Sequence, residues 1–397
     1  MSWSAFAHLL PETLSLTSAW SGPWGPALAA AYVEAVRGVG RTHPNPAVGC
    51  VLVDTSCGVA GGEIVASGHH KRAGEGHAEV NALDALVSDR GVGSARGLTA
   101  VVTLEPCAHH GRTPPCADRL VREGVARVVV GTLDPNPRVD GRGIERLKAA
   151  GIEVVVADGV AAQACAALIA PFAKSIVPPD VDGAVQRPWV VLKTATSLDG
   201  RVATRTGASR FITGPASRRL VHGLRDAVDA VLVGATTVEV DDPALTVRDH
   251  RRADATPVRD PRRVILDRRC RLPVTARVFD PPGALLVHEA TSTAKPMYGV
   301  EHVAVEGFAL PSILSMLQAR GLTSVLVEAG PRLSASLLSA GLVDELWWFH
   351  APVIIGGDGA AAVGGLGVAA LAQAKRGAVA HRVLVGEDVL LILTDLR

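Results

Sequence analysis

Between residues 27 and 157 the apolar positions alternate between helical spacing and short continuous runs. The Ala-rich stretch Ala27–Val36 predicts a helix and the run Val48–Val53 a strand. The same reading places helices at Ala78–Val87, Ala117–Glu123 and Ile144–Ala149, with strands at Thr99–Leu104, Arg127–Val130 and Ile152–Ala157. Strands separated by helices predict a layered α/β domain with a largely parallel sheet.

A second series begins at Trp189. Strands are predicted at Val190–Ala195, Ala230–Gly234, Arg263–Leu266, Ala284–Val287, Ser324–Val327, Glu345–His350 and Val389–Leu393, with helices at Ser217–Ala227, Ser312–Ala319 and Leu333–Ala340. The stretch between the two series carries Pro178, Pro179, Gly183 and Pro188 and reads as a linker. The organisation expected is therefore an N-terminal extension over 1–26, a first α/β domain over 27–172, a linker over 173–188 and a second α/β domain over 189–397. A chain of 397 residues is long enough for two cores. The extension holds Trp3, Trp20 and Trp24, half of all the tryptophans, and reads as a packing segment without assignable chemistry.

Composition narrows the class of partner. Forty Lys plus Arg stand against 39 Asp plus Glu, and over 27–172 the count is 14 basic against 15 acidic, a net of −1. A nucleic-acid partner demands a basic excess, so a small substrate is favoured. The first basic side chain other than His8 is Arg37, and no apolar run reaches about 18 residues, so neither a charged-start signal peptide nor a membrane span is expected. A cytoplasmic protein follows from that reading. Six cysteines are too few for a disulfide scaffold. Cys50, Cys57, Cys165 and Cys270 read as reduced structural residues.

The other two cysteines belong to the most informative segment. Gly76-His77-Ala78-Glu79 is followed by Thr103-Leu104-Glu105-Pro106-Cys107, and nine residues on by Cys116. One imidazole, two thiols and a carboxylate two residues from the imidazole are the set a zinc hydrolytic deaminase uses. His77, Cys107 and Cys116 would be the metal ligands, all at strand ends or helix starts, where the helix dipole lowers thiol pKa. Glu79 would move protons without ligating the metal. A closed structural zinc, with His109 or His110 as fourth ligand, is the alternative metal reading.

The usual deaminase spacing is Pro-Cys-x-x-Cys, whereas here eight residues separate Cys107 from Cys116. That long loop, with Thr42-His43-Pro44-Asn45-Pro46-Ala47-Val48-Gly49 and Asp134-Pro135-Asn136-Pro137, resembles the deaminase half of the bifunctional riboflavin-biosynthesis deaminase/reductase family. The resemblance implies a cytidine-deaminase-like α/β/α layered domain, with Asn45 and His70 contacting a pyrimidine substrate and the loop of His110 and Arg112 helping to hold it.

The second half resembles the reductase half of the same family through Lys193-Thr194-Ala195-Thr196-Ser197-Leu198-Asp199-Gly200-Arg201, the segment Gly234 to Arg248, and Leu326-Val327-Glu328-Ala329-Gly330-Pro331. It implies a dihydrofolate-reductase-like α/β domain that binds NADPH. By motif, cofactor contacts would be Ala195, Phe211, Thr237, Asp241 and the run Gly330, Pro331, Arg332, Leu333, Ser334, Ala335 and Ser336. Substrate contacts would be Ser209, Arg225, Leu245, Arg248 and Glu328. Two of these stand on chemistry alone. The Glu328-to-Leu333 turn joins a strand to a helix start and so offers a phosphate seat, while Arg225 and Arg248 suit a sugar phosphate. Phe211 stands where the family more often has Trp, keeping an aromatic face and losing the indole N–H. Lys193 and Asp241 are candidates to polarise the ribose carbon. Gly365-Leu366-Gly367-Val368-Ala369-Ala370 matches the letters of a dinucleotide fingerprint but lacks a preceding strand, and is rejected as one.

Taken together, the resemblance implies hydrolytic deamination of 2,5-diamino-6-ribosylamino-4(3H)-pyrimidinone 5′-phosphate by the first domain. NADPH-dependent reduction of the ribosyl chain to ribityl would follow in the second, with the protein a homo-oligomer. The competing reading is a zinc deaminase of a nucleic-acid base with a non-catalytic C-terminal binding domain. A third makes the second half a degenerate domain that shapes an oligomer.

Overall fold

A computed structural model describes residues 3–10, 20–56, 61–108, 114–136, 141–176, 186–293 and 295–397. The chain divides into two compact units between Pro178 and Pro179.

In the first unit, α1 (Gly25–Gly38) leads into β1 (Gly49–Asp54), β2 (Glu63–His69), α2 (Ala78–Arg90), β3 (Thr99–Val102), α3 (Cys116–Glu123), β4 (Arg127–Val130), α4 (Arg142–Ala149), β5 (Glu153–Val156), α5 (Gly159–Leu168) and α6 (Ala170–Ile176). The sheet order is β2-β1-β3-β4-β5. It is mixed rather than largely parallel, because β1 runs antiparallel to both β2 and β3 while β3, β4 and β5 are parallel. The apolar runs that predicted the strands fill the core: Cys50, Leu52, Ala100, Val102, Val128 and Val130 are fully buried with Leu83 of α2 and Leu120 of α3. Gly49 lets α1 lie directly on β1, since a Cβ there would stand 2.0 Å from Ala31 O. Trp20, from the N-terminal extension, is buried edge-on against Tyr32 of α1 at 5.5 Å, and Arg127 stacks over Trp24 at 5.2 Å. Helix α6 continues to Ile176, so ordered structure extends into the segment read as linker.

The second unit contains β6 (Trp189–Thr196), β7 (Arg201–Ala203), α7 (Pro215–Ala227), β8 (Ala230–Gly234), α8 (Ala235–Asp241), β9 (Arg262–Leu266), β10 (Ala284–Glu289), β11 (Val300–Val305), α9 (Leu310–Ala319), β12 (Ser324–Glu328), α10 (Pro331–Ser339), β13 (Glu345–His350), β14 (Ala360–Ala361), β15 (Ala378–Val385) and β16 (Asp388–Thr394). Its main sheet has the order β11-β10-β9-β8-β12-β6-β13-β16-β15. From β11 to β13 all neighbours are parallel, and the C-terminal hairpin β15–β16 closes the edge antiparallel. Parallel pairing brings the C-terminal ends of β8, β12 and β6 to one edge, where α8 and α10 begin. Open α/β sheets hold their ligands at such an edge.

Among the described residues no single helix is long and apolar enough to cross a membrane. Cys50 and Cys165 are buried free thiols and Cys270 is a half-buried one. Cys57 lies outside the described residues. The Gly365–Ala370 segment is preceded only by the two-residue β14 and followed by no α-helix, in keeping with its rejection as a nucleotide fingerprint.

Candidate active sites

His77 caps α2 in extended conformation, and its carbonyl accepts the first helical hydrogen bond from Asn81 N–H at 2.9 Å. Cys107 follows the end of β3, and Cys116 is the first residue of α3. Their ligand atoms and that of His77 lie within 4.8 Å of one another. Cys116 Sγ is 3.2 Å and Cys107 Sγ 3.7 Å from His77 Nδ1. The backbone N–H of Cys116 donates to Cys107 Sγ at 3.3 Å, so a helix start stabilises the thiolate directly. Hydrogen bonding from the Cys116 thiol, with a further bond to His77, holds Cys107 well below the thiol range at about 4. One imidazole and two thiols at this separation fit a tetrahedral zinc with one position left over.

Glu79 lies in the first turn of α2, 3% exposed, and lines the same cavity of about 490 Å³. Burial, reinforced by the Cys107 charge, pushes its carboxyl up to about 7. Asn45 and His70 line the cavity too, joined by a 3.0 Å contact between Asn45 Nδ2 and His70 Nε2. His70 Nδ1 is 3.1 Å from Gly76 O. A carbonyl only accepts, so Nδ1 carries the proton and Nε2 accepts from Asn45. Burial lowers the His70 pKa, which agrees with that neutral tautomer. His110 and Arg112 lie outside the described residues.

Three further residues to which sequence assigns no site role line the cavity, although Asp134 and Asn136 belong to a run that carried the resemblance. Asp134 and Asn136 come from the loop after β4, and Phe172 comes from α6. The loop is set by Glu105, a buried carboxylate that accepts backbone N–H bonds from Asp134, Gly141, Gly143 and Ile144 at 2.9–3.3 Å. Glu105 stands next to Pro106-Cys107 in the motif, and its partners in sequence are too distant for local pattern to reveal.

In the second unit Gly330 caps α10 and Pro331 opens it. A Cβ on Gly330 would stand 3.8 Å from Thr237 Oγ1, so the starts of α8 and α10 adjoin. Ser334 Oγ and Thr194 Oγ1 are buried without hydrogen-bond partners in the protein. Orphaned hydroxyls beside a helix start suit an anionic cofactor. Arg332 and Ser336 are exposed, and Ser336 Oγ donates to Arg332 O at 3.0 Å, so only part of the 330–336 run faces inward. Ala195 is half-buried near the end of β6.

Several residues expected to touch ligand also meet each other. Arg225 Nε donates to Glu328 Oε1 at 2.6 Å and Nη1 to Thr246 O at 3.0 Å. Burial would raise the Glu328 pKa, but the Arg225 and Lys193 cations outweigh it and hold the carboxyl at about 2. Lys193, opposite Glu328 in the β6–β12 register, has its pKa lowered by burial. Ser209 Oγ donates to Asp241 Oδ1 at 3.0 Å. Leu245 is 2% exposed with φ 55°, which leaves backbone rather than side chain for any contact. Phe211 is exposed at φ 64°, with the Arg218 guanidinium 4.8 Å above its ring. Arg248 offers its backbone N–H to His222 Nδ1 at 3.0 Å, while its side chain lines a second cavity.

The metal-ligand cluster on a mixed sheet and the parallel sheet with its paired helix starts define a zinc-binding deaminase domain joined to a reductase domain. Residues 27–132 match the cytidine and deoxycytidylate deaminase zinc-binding region, and residues 188–389 match the RibD C-terminal domain. Riboflavin biosynthesis protein RibD of Escherichia coli strain K12 is 40% identical over 92% of this chain and 98% of its own length. That of Aquifex aeolicus is 39% identical over 89% and 93%. A Thermotoga maritima structure described as a diaminohydroxyphosphoribosylaminopyrimidine deaminase/5-amino-6-(5-phosphoribosylamino)uracil reductase covers 96% of this chain and 99% of its own at 34% identity and TM-score 0.79. The chain belongs to the RibD family: it is a bifunctional enzyme of riboflavin biosynthesis with a zinc-dependent deaminase domain and a reductase domain that uses NADPH. Both halves match, so the reading of a nucleic-acid deaminase with a non-catalytic second half is disfavoured.

Proposed function

We propose that the first unit deaminates 2,5-diamino-6-ribosylamino-4(3H)-pyrimidinone 5′-phosphate at its 2-amino carbon, and that the second reduces the ribosyl group of the product to ribityl. The observation that carries the first step is the convergence of His77, Cys107 and Cys116 within 4.8 Å, beside the cavity that His77, Cys107 and Glu79 line. Zinc held by those three would act as a Lewis acid, bringing a coordinated water to a pKa of about 7. Glu79 accepts a proton from the attacking water and passes it to the adjacent ring nitrogen, then carries the remaining hydroxyl proton to the departing amine, so the ring gains a carbonyl and an N–H and ammonia leaves. Asn45 and the neutral His70 hold the ring edge, with Asp134 and Asn136 on the loop that Glu105 fixes.

In the second unit the turn Gly330–Pro331 with Ser334, and Thr237 across from it, would hold the NADPH phosphates. Bound there, NADPH supplies hydride from its nicotinamide. Lys193, depressed by burial and placed against Glu328, donates the proton to the ribose ring oxygen as the C1′–O bond opens. Arg225 keeps Glu328 ionised and so acts as a positioning residue. The same reading places the enzyme in the cytoplasm, where phosphorylated precursors and NADPH are found, as a homo-oligomer whose size light scattering would give. The test is a coupled assay on one sample with the diaminopyrimidine phosphate. Ammonia release is expected to stop with a zinc chelator, while NADPH oxidation continues when deaminated substrate is supplied. Ammonia release that persists in chelator overturns the zinc step.

A further inference from the structure

Asn81 lies half-buried on α2, one helical turn after the ligand His77, and the deaminase step as derived does not use it. Its backbone N–H closes the first turn of the helix on His77 O at 2.9 Å. Its side chain has a separate task. Nδ2 donates to His69 O at 2.8 Å and to Gly76 O at 3.0 Å, so the two hydrogens of one amide hold both ends of the turn between β2 and α2. Both partners are carbonyls, which orients the amide with its nitrogen towards them. The fit depends on glycine at 76, because a Cβ there would stand 2.7 Å from Asn81 Oδ1.

The turn closed in this way is a wall of the deaminase cavity, lined by His70, Ala73, Gly74 and Glu75. Gly76 O accepts twice, from Asn81 Nδ2 and from His70 Nδ1 at 3.1 Å, which engages both lone pairs of that oxygen. His70 is 2% exposed, and its other ring nitrogen meets Asn45 Nδ2 at 3.0 Å. A chain of hydrogen bonds therefore runs from α2 through Gly76 O and the His70 ring to Asn45. The β2 end is tied to α1 as well, where Glu34 Oε2 accepts from His69 Nδ1 and Oε1 from Ser67 Oγ, each at 3.1 Å. Those bonds hold one end of the turn, whereas Asn81 joins the two.

We propose that Asn81 is a positioning residue of the deaminase: by bonding His69 O and Gly76 O it places the carbonyl that keeps the His70 proton on Nδ1 and leaves Nε2 an acceptor beside Asn45. The proposal rests on the reading of His70 as a substrate contact. Which nitrogen of an imidazole is protonated follows from what the other one meets, and here that choice is made by an amide outside the cavity lining. A contact made equally in the ground and transition states shows in KM and leaves kcat alone. A merely structural role at the start of α2 would act through His77 instead, and would show as lost zinc or lost kcat.

Asn81→Ala, Asn81→Asp and Asn81→Gln are compared with the zinc-loaded wild-type enzyme. Asp keeps the shape and replaces the donors by acceptors, while Gln keeps the amide on a longer stem. Nitrogen NMR of isotope-labelled histidine at about pH 8, with His70→Gln to identify the resonances, is expected to show a protonated Nδ1 and a bare Nε2 on His70 in the wild type. The Ala and Asp variants should show the two tautomers mixed. KM for the diaminopyrimidine phosphate is expected to rise about 3- to 10-fold in both, the worth of a neutral hydrogen bond, with kcat, zinc content and reductase turnover within about twofold. Gln should recover part of the loss. An unchanged His70 ring in the Ala and Asp variants overturns the proposal, and so does a loss of zinc or of kcat in place of the rise in KM. Mixed tautomers with KM unchanged support the positioning of His70 and overturn instead its contact with substrate, because the ring is read without turnover.

Discussion

In the first unit three ligand atoms lie within 4.8 Å of one another, two at helix starts and one in the loop after β3, and buried Glu79 lines the cavity with two of them. In the second, the groups expected to act are spread over a sheet edge, and a cavity of about 900 Å³ is lined by Arg218, Arg219, Arg248 and Arg251. The contrast follows from chemistry. A metal centre tolerates little error in position, so His77 and Cys116 sit at helix starts and Cys107 is fixed by the backbone bond from Cys116 N–H to its Sγ. Hydride transfer from a large cofactor relies on many weaker contacts that align two bound molecules.

The sharpest way to break that comparison is Glu79→Gln. Ammonia release is expected to fall about 10²- to 10⁴-fold, the range for a lost general acid–base group, with NADPH oxidation on deaminated substrate untouched. A loss in both activities would mean that the two sites are not independent.

Arg225→Ala comes next and strikes the other unit. It leaves the buried Glu328 with Lys193 as its remaining cationic neighbour, at a cost of up to about 3–5 kcal/mol. The reductase transition in a urea titration should move while zinc content stays constant. Acid acts on the same groups. Glu328, at about 2 in the fold against about 4.3 for a free Glu, stabilises the native state above the free value, and that contribution drains away as pH falls towards 2. His222, at about 4 in the fold against about 6.5 free, lets the unfolded chain take up its proton first, so stability falls as pH drops from about 6.5 to 4. Melting temperature of the reductase unit should therefore decline in both windows, and His222→Gln should remove the upper one.

Gly143→Ala is expected to cost about 2 kcal/mol by overpacking, because its Cβ would stand 1.9 Å from Pro106 O, beside the ligand Cys107. Zinc affinity, measured by competition with a chromogenic chelator, should weaken while KM for NADPH holds. The smallest effect belongs to Phe211→Trp, which adds one N–H donor at an exposed ring. KM for NADPH is expected to drop about threefold, the worth of a modest hydrogen bond.

Sequence pattern found the buried strands and one edge, β5, and missed the other edges together with the short β7–β14 pair. Strands β2, β11 and β15 went unread, and each is the outermost strand of its sheet, where solvent dilutes the apolar alternation. The Ala-rich α5 has no polar stripe to set its period, so it too escaped. At the deaminase site His77, Glu79, Cys107 and Cys116 were legible because their types and spacing are dictated by zinc. Glu105 and Asp134 stood in quoted motifs without a role and Phe172 stood in none, because a carboxylate that gathers backbone N–H groups and a side chain that walls a cavity leave no spacing rule behind.

Residue chemistry in linear order was enough to determine the metal set, the proton-transfer carboxylate and the need for an anion seat before α10. These depend on which atoms can ligate or titrate, and a short motif states that outright. Only the folded chain decided how the arginines divide. Arg225 and Arg219 lie six residues apart on one helix, yet the first is spent on Glu328 and Thr246 O while the second lines an open cavity without an ion-pair partner. Partner choice depends on which strand end and which loop the helix meets, and that is settled by parallel pairing between β6 and β12, more than a hundred residues apart in the chain.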